Sequence, residues 1–157
     1  MRINLLCIGK TDDKKITELI SYYIARLPKH WNFEMIEIPD AKNARNLSSD
    51  LLKKEEAKLF FNHIENTDLV ILLDEKGKEF TSREFAQKLN YYQNNSIKRV
   101  CFLIGGAYGF SDEMYNRANE KLSLSKMTFT HQMIRLFFFE QIYRADQILQ
   151  GKPYHND

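Results

Sequence analysis

Two rhythms of apolar residues alternate along this chain. The first is the short continuous run: Ile3 to Ile8 ended by Gly9, Leu69 to Leu73 ended by Asp74, and Arg99 to Ile104 followed at once by Gly105-Gly106. Runs of this kind suit strands covered on both faces. Phe33 to Ile38, ended by Pro39-Asp40, reads as a further strand, and Leu122 to Leu124 as a short fifth one. The second rhythm is helical. Ile16, Leu19, Ile20, Tyr23, Ile24 and Leu27 recur at three- and four-residue spacing, after Thr11 or Asp12 as a cap and before Pro28 as a stop. A helix from about Asp50 to Ile64 turns Leu52, Leu59, Phe60 and Ile64 inward. Thr81-Ser82-Arg83-Glu84 is a capping box that opens a helix carrying Phe85, Ala86 and Leu89. Ser111 caps a short helix from Asp112 to Asn119, and the last helix runs from about Thr130 to Leu149, stopped by Gly151 and Pro153.

Strand and helix therefore alternate from end to end, which predicts an α/β fold with a mainly parallel sheet and helices on both faces, spanning 1–157 as one domain. The last helix is unusual. Ile134, Phe137, Phe138, Ile142, Ala145, Ile148 and Leu149 make one stripe, and Met133, Leu136, Phe139 and Tyr143 widen it. A helix apolar over so much of its circumference needs cover on two sides, and a second subunit is the expected second cover. Asp40 to Ser49 is polar and aperiodic, an exposed loop carrying Lys42 and Arg45.

Composition narrows the class. With 43% hydrophobic and 28% charged residues in 157, the chain has the balance of an ordinary folded domain. A net charge of +2 permits a nucleic-acid partner without demanding one. Cys7 and Cys101 sit inside apolar runs, form no Cys-x-x-Cys pair and read as buried free thiols, which fits a reducing cytoplasm. The start of the chain turns polar too soon for a signal peptide, no apolar run approaches the ~20 residues of a membrane span, and four histidines without HExxH spacing argue against a metal site.

Candidate chemistry lies after the strands, because open parallel sheets bind ligands at their carboxyl ends. Gly105-Gly106-Ala107-Tyr108-Gly109 allows close approach of a ligand to backbone, yet it is neither a P-loop nor a Rossmann fingerprint and would also serve as a plain tight turn. Ser123 to His131 mixes Ser, Thr and Lys with Leu, Met and Phe without a period; it suits an adenine ring held by backbone groups, or a packed connector. His131 sits at a helix start, where the dipole disfavours the cation and leaves an imidazole able to accept a proton. Arg135 and Arg144, nine residues apart, project about 180° from each other. Glu140 and Arg144 have the spacing of a surface ion pair. From these residues alone, a small-molecule α/β enzyme using the glycine loop for a nucleotide ranks first. An RNA-binding assembly factor and a structural dimer stand behind it.

Five segments in register change that ranking. Leu72-Leu73-Asp74-x-x-Gly77-Lys78, Ile104-Gly105-Gly106-Ala107-x-Gly109, Leu122-Ser123-Leu124-Ser125-x-Met127-Thr128-x-x-His131-Gln132-Met133-x-Arg135, Glu140-Gln141-Ile142-Tyr143-Arg144-Ala145 and Gly151-x-Pro153-Tyr154-His155 resemble the RlmH family of SPOUT-class methyltransferases; the opening Ile3 to Gly9 and Ile36 to Pro39 do too. The resemblance implies a SPOUT fold with a C-terminal trefoil knot, S-adenosyl-L-methionine as cofactor, a homodimer, and N3-methylation of a pseudouridine in a stem-loop of large-subunit ribosomal RNA on assembled ribosomes. Carried over, the cofactor pocket comprises Leu73, Gly105, Leu124, Ser125, Lys126, Met127, Thr128 and Phe129. His131 or His155 is then expected to take the N3 proton, Arg135 or Arg144 to stabilise the developing anion, and Tyr154 to stack on the base.

Overall fold

The computed structural model describes residues 1–155; Asn156 and Asp157, the end of the tail, lie outside the described residues. The elements are β1 (Arg2–Ile8), α1 (Lys14–Ile24), β2 (Glu34–Ile38), α2 (Ser49–Phe61), β3 (Leu69–Glu79), α3 (Ser82–Asn94), β4 (Arg99–Ile104), α4 (Asp112–Arg117), β5 (Glu120–Ser123) and α5 (His131–Leu149). All strand pairs are parallel, in the order β2-β1-β4-β3-β5. The alternation read from the sequence is the alternation found.

Pleating divides the continuous strand runs between two cores. Ile3, Leu5, Cys7, Ile71, Val100, Phe102 and Leu122 face one side, where Ile20 of α1, Phe85 and Leu89 of α3 and Phe138 and Ile142 of α5 cover them. Leu6, Ile8, Val70, Leu72, Cys101 and Leu103 face the other, under Ala57 and Phe60 of α2 and Met114 of α4. Removal of a ring as central as Phe102, fully buried and 4.8 Å from the Phe138 ring, costs about 3–5 kcal/mol. Burial pushes the pKa of Cys7 and of Cys101 up to about 12, so both thiols stay protonated and behave as small hydrophobes.

Local chemistry explains the boundaries. The capping box at α3 is present, with the Thr81 side chain accepting from the Glu84 N–H and the Glu84 carboxylate accepting from the Thr81 N–H. Ser111 caps α4. Thr130 caps α5, so the helix itself begins at His131. At α1 the cap is Asp13, whose carboxylate accepts from the Lys15 and Ile16 N–H groups, rather than Thr11 or Asp12. Leu19 and Ile24, expected inward, are exposed, because α1 turns one edge onto the core and leaves the rest of its apolar face open.

The largest departure from expectation is β3. It does not end at Asp74 but continues to Glu79, pairing with β5 on both sides of a bulge: Leu73 and Lys78 both lie opposite Leu122. Gly77 makes the crossing possible, since a Cβ there would lie 2.6 Å from the Leu122 carbonyl carbon. The bulge pushes residues 74–77 out of the ladder at the carboxyl edge of the sheet.

Candidate active site

Three neighbouring strands, β4, β3 and β5, deliver their following loops to one place. A cleft of ≈ 730 Å³ opens there, lined by Leu73 to Lys76, the loop Gly105 to Gly109, Leu124, Ser125, Met127 to Thr130, and His131 and Ile134 at the start of α5. Its size suits a drug-sized or nucleoside-sized ligand. The lining is amphipathic. Leu73, Ile104, Leu124, Phe129 and Ile134 provide apolar wall, while Asp74, Ser125 and Thr128 provide polar side chains.

The glycine loop has a physical reason for its glycines. A Cβ on Gly105 would lie 3.1 Å from the Gly109 carbonyl oxygen, and one on Gly106 would lie 2.3 Å from Glu56 Oε1. Glu56, buried on α2, accepts from the Gly106 N–H at 3.3 Å and so supports the loop from behind. Burial raises the pKa of this carboxyl; the bond from Gly106 opposes the shift and the Asp40 charge adds to it. Between β5 and α5, Ser123 Oγ donates to the Ser125 carbonyl and Ser125 Oγ accepts from the Met127 N–H, so the irregular segment is tied to itself.

The residues expected to hold a cofactor fall around this cleft with one exception. Leu73, Gly105, Leu124, Ser125, Met127, Thr128 and Phe129 line it. Lys126 is outside the lining, its amine exposed and 3.6 Å from Glu79. The residues present fit an adenosyl ligand: apolar wall for a base, and hydroxyl and carboxylate side chains for its polar parts.

The expected catalytic residues are divided into three places. His131 lines the cleft. Arg135 is fully buried and not part of the cleft lining: Nη2 donates to the Ile8 carbonyl at 2.6 Å, and Nη1 to Thr11 Oγ1 at 2.8 Å and Glu37 Oε1 at 3.3 Å. It clamps α5 to the ends of β1 and β2, helped by Gln132, which accepts from the Asp13 N–H at 3.0 Å. Arg144, Tyr154 and His155 form a third group with Glu140. The Arg144 guanidinium reaches Glu140 at 2.5 Å, meets His155 Nδ1 at 3.3 Å and lies 4.9 Å from the Tyr154 ring centre. Tyr154 donates to Glu140 at 3.3 Å and packs edge-on against Tyr143. The Glu140–Arg144 ion pair expected from spacing is therefore present. Thirteen residues of helix separate His131 from Arg144, about 20 Å along the axis, so one chain does not bring all these groups to one cleft.

Sequence reasoning did not single out Tyr115 or Glu56 for the site. Tyr115 lines the cleft from α4, and nothing in its local pattern marks it. Among the described residues no group of three or more His, Cys, Asp or Glu could hold a metal ion, and no helix is long and apolar enough to cross a membrane.

A parallel α/β sheet with an amphipathic cleft over its carboxyl edge suits the binding of a small ligand. Residues 1–155 match the family model described as "Predicted SPOUT methyltransferase". Proteins named ribosomal RNA large subunit methyltransferase H resemble the chain throughout. That of Cytophaga hutchinsonii is 53% identical, covering 99% of this chain and 100% of its own. That of Parabacteroides distasonis is 50% identical with 100% of both chains covered. A solved structure described as a probable methylase family protein from Haemophilus influenzae superposes with TM-score 0.60 at 12% identity, covering 99% of this chain and 70% of that one, and speaks for the fold alone. The chain belongs to the SPOUT methyltransferases, in the family of the ribosomal RNA large subunit methyltransferase H proteins, RlmH.

Proposed function

We propose that this protein is an S-adenosyl-L-methionine-dependent cytoplasmic enzyme that methylates N3 of a pseudouridine in a stem-loop of large-subunit ribosomal RNA, as a homodimer on assembled ribosomes. The observation that carries the reading is the full-length match, at about half identity, to proteins named ribosomal RNA large subunit methyltransferase H. The cleft supports it, since seven of the eight residues expected to hold the cofactor line one cavity. The trefoil knot belongs to the same proposal; the chain's return across β3, from β4 on one side to β5 on the other, supports it.

When bound, S-adenosylmethionine supplies an activated methyl group. The residues of the chain hold, orient and deprotonate. In this reading His131, which lines the cleft, accepts the N3 proton of an incoming base. Arg144 offers a guanidinium to the carbonyl oxygens that flank the deprotonated nitrogen, and Tyr154 offers a ring for stacking. The 20 Å gap along α5 is bridged in this reading by a second copy. Met133, Phe137, Glu140 and Arg144 share one helical stripe by spacing, and Phe137 stays 38% exposed. Leu149 of α5 and Leu19 and Tyr22 of α1 are exposed as well. A partner laid on this face covers the open side of α5 and can bring its Arg144 group to the cleft of the first chain.

The test is transfer of labelled methyl from S-adenosylmethionine to intact ribosomes from a strain lacking the modification, with the nucleoside identified by mass spectrometry. Methylated pseudouridine is the expected product. Cofactor binding with no incorporation would leave the family and overturn the substrate.

A further inference from the structure

The bulge in β3 places two carboxylates at the cleft, Asp74 and Glu75, that neither the cofactor set nor the catalytic set uses, and Asp74 is the one nearer the strand end. Asp74 follows Leu73 directly and lines the cavity. Both its oxygens are held. Oδ1 accepts from the Lys76 N–H at 2.8 Å, inside the bulge, and Oδ2 accepts from the Tyr115 hydroxyl. Tyr115 is itself fixed, with its ring edge-on to Phe110 at 6.1 Å and Lys121 Nζ 5.6 Å from its centre. Burial raises the pKa of the Tyr115 phenol, and the bond to Asp74 raises it further, so the hydroxyl remains a donor at any pH the protein meets. The result is a carboxylate whose orientation is set before a ligand arrives.

Its place in the sheet says what part of a ligand it meets. In the order β4-β3-β5, the glycine loop follows β4 and the segment 124–129 follows β5. Asp74, at the bulge of β3, stands between them. A ligand that spans both loops crosses Asp74 with its middle. In an adenosyl amino acid the middle is the ribose. A carboxylate accepts and never donates, and after its bonds to Lys76 and Tyr115 each oxygen has acceptor capacity left. Two acceptors side by side match the two donors of a vicinal diol.

Resting on the cofactor reading above, we infer that Asp74, braced by Tyr115, accepts hydrogen bonds from the ribose 2′- and 3′-hydroxyls of the adenosyl cofactor. Asp74 is thus a binding residue and Tyr115 a positioning residue that acts through it.

S-adenosylhomocysteine is the probe, because its sulfur is neutral and sulfonium attraction is absent. Its 2′,3′-dideoxy analogue is the comparison, and calorimetry measures both. On the unaltered protein the analogue is expected to bind roughly ten- to a hundredfold more weakly. Asp74→Asn weakens the parent compound by a similar factor and reduces the difference between the two ligands to about twofold or less. Tyr115→Phe leaves the carboxylate in place but loose, and produces a smaller loss confined to the hydroxylated ligand. The comparison of ligands on the unaltered protein needs no variant to fold. If the dideoxy analogue binds as tightly as the parent, or if Asp74→Asn weakens both ligands equally, the diol contact is overturned while the cofactor reading stands. If neither ligand binds the unaltered protein, the cofactor reading has failed and the inference falls with it.

Discussion

The two ends of α5 are built by opposite rules. At its start, around the cleft, apolar wall is mixed with polar side chains such as Asp74, Ser125 and Thr128, and the buried carboxylate behind it, Glu56, is met by an amide N–H rather than a cation. At its other end the groups are charged and mutually paired: Glu140, Arg144, Tyr154 and His155 form a connected cluster. The first arrangement offers a cavity with fixed apolar and polar walls. The second is a cluster of charged and polar groups that satisfy one another. In the proposed function the cofactor lies at the first, with His131 as the proton acceptor, and the second supplies Arg144 and Tyr154 to the base. Their separation on one helix is the reason the proposed function includes a second copy.

Arg144→Ala separates the roles of the two ends most strongly. If the far end serves chemistry and the near end serves cofactor, turnover falls by about 10²–10³ while cofactor affinity, read by calorimetry, changes less than about twofold. Equal losses in both would mean the two ends are one site. Mixing chains goes further. Arg144→Ala and Gly105→Val subunits, each inactive alone, are expected to recover about a quarter of normal activity after exchange, because half the dimers are mixed and each of these holds one intact composite site. No recovery, with exchange verified by mass, would place both ends in the same subunit.

The brace between the ends predicts a smaller effect. Arg135→Met removes the bonds to Ile8, Thr11 and Glu37 and is expected to cost about 2–3 kcal/mol in urea unfolding. Glu37 is not stranded, since it keeps the Thr11 N–H and hydroxyl at 2.6 Å. Cofactor affinity should weaken with it, because Arg135 fixes the helix start that carries His131 and Ile134. If stability drops and affinity does not, the clamp and the cleft are independent.

Arg135 also marks where sequence reading stopped short. Read as a polar residue in a functional segment, it suggested chemistry. Yet it precedes Phe138, Ile142 and Ala145 by three, seven and ten residues, which puts it on the inward stripe, and that spacing was available in the sequence. The strands and helices were legible for the converse reason: continuous apolar runs and side-chain caps are local signals. The extension of β3 was not, because residues 74–77 carry no alternation and the bulge depends on how closely Gly77 approaches Leu122, a contact between distant parts of the chain. Thr11, Asp12 and Asp13 are all competent caps; Arg135 engages Thr11, and Asp13 is left to start α1.

The smallest effect contrasts the two carboxylates themselves. Burial holds the Glu56 pKa above its ordinary 4.5 in the folded chain, so its ionised form costs stability. That cost is fully present above the folded pKa and disappears as pH falls through it toward 4.5. Glu56→Gln, which keeps an oxygen for the Gly106 N–H, should therefore melt slightly higher than the unaltered protein at pH 7, by roughly a degree or two, and lose that advantage near pH 4. Glu140 should behave in the opposite sense. Its partner Arg144 is held in the charged form first of all by their hydrogen bond, so Glu140→Gln leaves that cation without its acid and lowers the melting temperature at pH 7. A gain from Glu140→Gln, or a loss from Glu56→Gln that persists at pH 4, would remove the distinction between a cleft supported by an unpaired acid and a cluster held by a paired one.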